Sequence, residues 1–327
     1  MAVEFDGVND HIVCGSAASV DNLGLRSAAA WIRADGMGEG NYGLVLSKDD
    51  GSSGFTFGFN GGVPASNELF FLYRWSSSGG QWTTDAGISL GAWVHVAVTY
   101  DKGSTANDPI VYVNGVAVAI TEDTNPVGGA TDDSAAVLTV GNRAATDRTF
   151  DGQIDDPRYF NRILTPEEVA VLAAGYRGPL GGEVMWLSGN DFATLAHPDG
   201  TTLTTSHVMS DLSGNGNDGV PTNSPIARAS EAPRLGPWWG YIYDFADVVY
   251  TNVTPAAAVA IAAAVLGRFE KEIHGLVASA VAASSGGAVF RARTAWLRYR
   301  QRHHIAPEKP LTADAPHRRR GGTSERD

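Results

Sequence analysis

The chain has a single cysteine, Cys14, among 327 residues, so no intramolecular disulfide can brace it and its core must hold the fold by packing alone. Cys14 itself reads as a small buried side chain within a strand. Long apolar runs are missing too. The most apolar stretch, Ala256 to Leu266, has eleven residues, against the roughly twenty that cross a bilayer, so no membrane span is expected. Nucleophile-elbow, zinc-protease and phosphate-loop patterns do not occur. Glycoside hydrolysis needs two carboxylates flanking one bond. The nearest candidate, Gln153-Ile154-Asp155-Asp156, has glutamine where the first acid would stand and Arg158-Tyr159 where the second would. A non-enzymatic protein is expected. Positive charge is scarce over most of the chain: net charge is −12, yet Gly286 to Asp327 holds ten Lys/Arg against four Asp/Glu, so residues 1 to 285 carry −18. An acidic body does not favour nucleic acid, because neutralising phosphates needs Lys and Arg. The first strand-like run begins at Val3, so export by an ordinary signal peptide is not expected.

What is present points to turn-rich β structure, with 39 glycines and many Asn, Asp, Ser and Thr between short apolar runs. Val94, Val96, Val98 and Tyr100 alternate with His95, Ala97 and Thr99, which buries one face by a period of two. Asn114-Gly115, between Ile110-Val113 and Val116-Val118, is the strongest hairpin signal, since a type I′ turn needs positive φ at both central residues. Thr165-Pro166 with Glu168 has the form of a capping box and predicts a short helix from Thr165 to Ala174. Thr254-Pro255 repeats the start signal before an Ala-rich helix, and a Pro- and Gly-bearing tail with Arg318-Arg319-Arg320 follows.

Four segments stand at spacings that carry a resemblance. They are Phe5-Asp6-Gly7-Val8-Asn9-Asp10-His11-Ile12-Val13, Trp93 to Asp101, Val111-Tyr112-Val113-Asn114-Gly115, and Phe150-Asp151-Gly152-Gln153-Ile154-Asp155-Asp156-Pro157-Arg158 running on to Val169. Together they resemble the laminin-G-like, concanavalin A-like lectin/glucanase jelly roll. The resemblance implies a mainly β fold, a two-sheet antiparallel sandwich over residues 1–178. A Trp-containing run at Val184 to Leu187 and an Asp211-to-Gly219 loop usually precede the first motif in that family; here they follow the whole domain. Residues 179–245 are therefore expected as appended or permuted strands packing on the sandwich. Residues 254–303 are expected to be a helical attachment segment that joins an oligomer or other virion subunits, and 304–327 a disordered basic tail.

Phe71, Tyr73 and Trp75 share one strand face, opposite Phe70, Leu72 and Arg74, and one of the two faces must be core. Tyr73, Trp75 and Trp82, with Arg74 or Gln81 as donors, are the candidate glycan contacts. Trp31 and Trp93 are assigned to the core and His95 to a structural role. Asp6, Asp10, Asp155 and Asp156 supply the hard oxygen ligands that suit Ca²⁺, an expectation drawn from the family's calcium sites; the same carboxylates could instead cap turns and pair with Arg158 or Arg162. Asp211, Asn215, Asn217 and Asp218 read as turn chemistry. The functional expectation is a non-catalytic module that binds cell-surface or extracellular polysaccharide from a virion surface or tail. The alternative is a structural capsid or tail decoration protein that binds no sugar.

Overall fold

A computed structural model of the protein describes residues 2–61, 66–187, 199–230 and 232–233. The expected attachment segment and basic tail, 254–327, lie outside the described residues, as do residues 234–245. Two eight-stranded antiparallel sheets form a sandwich. The first sheet contains β1 (Ala2–Asp6), β3 (Leu25–Ala34), β8 (Val94–Asp101), β9 (Ile110–Val113), β10 (Val116–Ala117), β13 (Asp151–Phe160), β14 (Glu183–Trp186) and β16 (Ile226–Arg228). Its order is β10-β9-β8-β3-β13-β1-β16, with β14 also on β13. The second contains β2 (His11–Val13), β4 (Leu44–Asp49), β5 (Gly54–Phe59), β6 (Leu69–Tyr73), β7 (Gly80–Thr84), β11 (Ile120–Thr124), β12 (Leu138–Val140) and β15 (Val220–Thr222), in the order β11-β7-β6-β5-β4-β12-β2-β15.

The period-two pattern sets the inner faces. Phe55, Phe57, Phe71, Tyr73, Trp82 and Tyr100 point between the sheets and are fully enclosed. Their rings meet at close range, with Phe55 stacked on Tyr159 at 5.3 Å and Phe71 tilted against Tyr100 at 5.1 Å, so much of the stabilisation is aromatic packing as well as area burial. A buried ionic cluster closes one end. Lys48, with no exposed side-chain surface, lies 3.0 Å from Asp21 and donates to the Ala136 carbonyl at 2.7 Å, while Arg26 reaches Asp133 at 3.4 Å. Charges this deep persist because each is paired and hydrogen-bonded.

β8 is buried along both faces rather than one. Its outer face is covered by α1 (Pro166–Ala173) in a second apolar cluster, where Ala29, Ala97, Tyr112 and Phe160 meet Val169 and Leu172. The helix starts as the sequence dictates: Thr165 Oγ1 accepts from the Glu168 N–H while the Glu168 carboxylate accepts from the Thr165 N–H. The Asn114-Gly115 turn takes φ of 50° and 81°, as a type I′ hairpin demands.

Strands from the later part of the chain complete both sheets. β14 pairs with the Arg158-to-Phe160 end of β13, β16 with β1 and β15 with β2. The loop at 211–218 holds β14 in place. Asp211 accepts from the Trp186, Ser213 and Asn217 amides, and Asn217 and Asn215 donate to the Val184 and Glu183 carbonyls. This is turn chemistry turned into a clamp. Among the described residues, no helix is long and apolar enough to cross a membrane.

Candidate functional site

The aromatic residues singled out in the sequence fall on the inner side. Tyr73 and Trp82 have no exposed surface and Trp75 has 7%; Trp75 Nε1 donates to Tyr100 Oη at 3.2 Å and Trp82 Nε1 to Asp108 at 2.9 Å. Enclosed rings have no face to offer a sugar, so these three are core side chains. The reason is register: Trp82 stands opposite Phe71, which places it on the same face as Tyr73. Arg74 is on the other face, half-buried and bound through two 3.0 Å contacts to Asp49.

That other face, the outer surface of the second sheet, carries the more promising group. Phe70 and Leu72 on β6 stand opposite Thr83 and Gln81 on β7, and Asp123 lies at the register shift of β11 beside them. Asn60, just after β5, donates to Thr83 Oγ1 at 3.1 Å; Thr83 in turn donates to Asp123, which also accepts from Gln81 at 3.3 Å. A half-buried ring stands at the end of this chain of polar groups. Tyr42 meets Phe70 edge to face at 6.0 Å and carries the Arg148 guanidinium over its ring at 4.8 Å. Gly61 permits this, since a Cβ there would come within 2.2 Å of the Tyr42 ring. Arg143, on the same side, is held by Asp147 at 2.6 and 2.7 Å. The result is an aromatic ring beside an amide, a hydroxyl and a carboxylate, all fixed by one another.

Sequence reasoning reached Gln81 but missed Tyr42, Asn60 and Asp123. Tyr42 had one available signal, a lone aromatic inside the glycine-rich 36–43 turn, outside any periodic run.

The four carboxylates expected around calcium do not form one ligand set. Asp155 and Asp156 lie at a β-bulge in β13, where Asp156 takes φ of 54°. Asp156 binds Arg158 at 3.0 Å and Arg177 at 3.1 Å and accepts from Trp186 Nε1 at 2.6 Å, and Asp155 binds Arg177 at 3.2 Å. Both are spent on arginines; of the two partners expected, Arg158 holds Asp156, while Arg162 binds Glu168 and Arg177 takes its place. Asp6 is an exposed turn cap that accepts from the Val8 amide at 2.9 Å. Asp10 is 2% exposed; one oxygen accepts from the Asp6 N–H at 3.1 Å, and the other, Oδ1, has no hydrogen-bond partner. Burial, then the Asp6 charge, pushes the Asp10 carboxyl up to about 7. Among the described residues no three His, Cys, Asp or Glu side chains converge as a metal cluster.

Trp31 is buried on the outer face of the first sheet, edge-on to His95 at 5.4 Å. His95 is pushed down to about 3, first by burial and then by Arg177 and Arg158, so it stays neutral and structural. Trp93 differs from its core assignment: it lies before the first residue of β8 and is only half-buried.

Residues 6–170 match the family model of the concanavalin A-like lectin/glucanases superfamily, and the chain belongs to that superfamily. No curated protein matches it. Among solved structures it is similar to a proposed carbohydrate binding protein from Bacteroides ovatus, at 17% identity and a TM-score of 0.49, covering 71% of this chain and 60% of that one. It is also similar to a heptameric SAP-like pentraxin from Limulus polyphemus (14% identity, TM-score 0.39, 55% and 82% covered). A third is the CBM40 domain of the Ruminococcus gnavus IT-sialidase, bound to α2,3-sialyllactose (13% identity, TM-score 0.37, 53% and 98% covered). At these scores the likenesses say nothing about a ligand.

Proposed function

We propose that the domain is a non-catalytic glycan-binding module whose ligand lies on the outer face of the second sheet. The observation that carries this reading is the half-buried Tyr42 ring, in contact with Phe70 and with Arg148, beside the Asn60-Thr83-Asp123-Gln81 chain of hydrogen bonds. A sugar presents a C–H surface to an aromatic ring and its hydroxyls to planar amides and carboxylates, and preorganised groups bind it with less loss of side-chain freedom. Membership of the superfamily accords with the reading. Asp155 and Asp156, buried and paired with arginines, are not available as an acid and a nucleophile.

A glycan array with the full chain tests the proposal. A set of neutral glycans should bind, Tyr42→Ala should lose at least about tenfold in affinity with the unfolding midpoint almost unchanged, and no reducing ends should appear. Retained affinity in Tyr42→Ala would move the site elsewhere. A wild-type chain that binds no glycan would favour the structural decoration alternative.

We also propose that calcium, if the folded domain takes it, is held at Asp6 and Asp10. The unpartnered buried oxygen of Asp10 supports this, with main-chain oxygens and water completing the shell. Calcium should then raise the melting temperature by mass action; identical transitions in calcium and in chelator would remove the ion.

A further inference from the structure

The outer face of the first sheet is only partly covered by α1. Beyond the helix, a row of side chains crosses three strands and ends at the residue before a fourth. Glu4 on β1 stands opposite Gln153 on β13, Gln153 opposite Arg33 on β3, and Trp93 comes one residue before Val94, the partner of Ile32. Glu4, Arg33 and Trp93 are half-buried and Gln153 is 8% exposed.

The charges in this row are unevenly matched. Glu4 is claimed by Arg228 through contacts of 2.7 and 2.9 Å. Arg33 Nε donates to the Gly91 carbonyl at 3.1 Å, and the Gly91 N–H returns to the Ala34 carbonyl at 2.7 Å, so the strand pins the plane of the guanidinium. Among the described residues, Arg33 has no carboxylate within ion-pair distance and no ring beneath it; each other arginine has one or the other. A half-buried guanidinium fixed through Nε keeps its Nη edge for an outside partner, and that edge matches the two oxygens of a carboxylate.

We propose that Arg33, Trp93 and Gln153 form a second sugar-binding site, selective for a glycan that carries a carboxylate on its ring. Trp93 supplies the surface for the sugar C–H face, the Arg33 fork takes the carboxylate, and Gln153, whose Nε2 donates to Glu4 at 3.5 Å, offers its Oε1 to a neighbouring hydroxyl. Asp35 and Asp151, near each other and near Glu4, in a chain of net charge −12, disfavour a polysulfate with several charges per sugar. What fits is one carboxylate per sugar, with the hydroxyls free. The site is separate from the Tyr42 face and does not depend on it.

The test is titration calorimetry of the full chain with oligogalacturonate and with its carboxyl-reduced galactan counterpart. The acidic oligosaccharide should bind at least about tenfold more tightly than the reduced one. Arg33→Gln and Arg33→Lys should each lose about tenfold for the acidic ligand, the second because it keeps the charge and removes the fork. Their unfolding midpoints should match the wild type, and Tyr42→Ala should bind oligogalacturonate normally. Equal affinity for acidic and reduced ligands, undiminished affinity in Arg33→Gln, or no binding by the wild type would each overturn the proposal.

Discussion

The outer faces of the two sheets solve the same problem differently. Each sheet turns an alternating strand inward, which leaves its other face with water or a cover. On the first sheet, part of that face is roofed by α1 and by the 174–182 segment, and the charges beneath are deep: Arg158 has no exposed side-chain surface, contacts Asp156 at 3.0 Å, lies over the Trp186 ring at 4.1 Å and donates to the Gly178 carbonyl at 2.8 Å. On the second sheet, Arg74 makes a comparable pair with Asp49 but remains 29% exposed. The same ion-pair chemistry thus serves stability in one place and a presented surface in the other.

The sharpest way to break this comparison is to delete both arginines. Arg158→Ala strands Asp156 beside a single remaining arginine in a dry site and should cost about 3–5 kcal/mol in denaturant unfolding, whereas Arg74→Ala, which leaves the buried Asp49 carboxylate with Arg143 at 3.7 Å and the Gly51 N–H, should cost about 1–2 kcal/mol. Equal losses would mean that the second face is as much core as the first.

Leu172→Ala opens a cavity beneath α1 and should cost about 2–4 kcal/mol, read from the shift of the denaturant midpoint. Gln81→Ala on the open face should leave that midpoint within about 0.5 kcal/mol.

The pH dependence sharpens the contrast at a third place, the first turn. Burial raises the Asp10 carboxyl to about 7 in the folded state, so the folded state favours the protonated form. Its contribution is complete below the unfolded carboxylate range and is lost as pH rises through about 7. In chelator, stability should fall on the order of 2 kcal/mol between pH 5 and pH 8, and Asp10→Asn should flatten that slope. A wild-type profile with no fall in this window would place the Asp10 carboxyl in an ordinary environment.

The smallest effect concerns the start of the covering helix. Thr165→Ala removes the cap bond to Glu168 and should cost about 1 kcal/mol, seen as a modest drop in melting temperature with glycan binding on the open face unchanged.

Local signals made much of the architecture legible. The Asn114-Gly115 hairpin and the Thr165-Glu168 capping box each require only a few neighbouring residues and are realised as read, whereas β8 forms as the alternation predicts but is buried on both faces because α1 covers its outer side. The site was less legible. Alternation correctly separated Phe71, Tyr73 and Trp75 from Phe70, Leu72 and Arg74, but it cannot say which set faces the partner sheet. Choosing the richer aromatic set as ligand contacts was the error, because aromatic area is also what a sandwich core buries first. Tyr42 was overlooked for the opposite reason: it sits in a turn, where no period marks it.

From the sequence alone came the class of fold, the paired strands, the capped helix, the lack of a disulfide brace and the turn chemistry of the 211–218 loop, because these depend on backbone preference and on contacts a few residues apart. The tertiary structure decided the rest. It set which sheet face is inside, it drew Asp155 and Asp156 onto Arg158 and Arg177 instead of toward Asp6 and Asp10, and it brought Tyr42, Asn60, Thr83 and Asp123 together from four separate segments. Those outcomes rest on register and on contacts between residues far apart in the chain, where a shift of one residue turns every side chain of a strand to the other face.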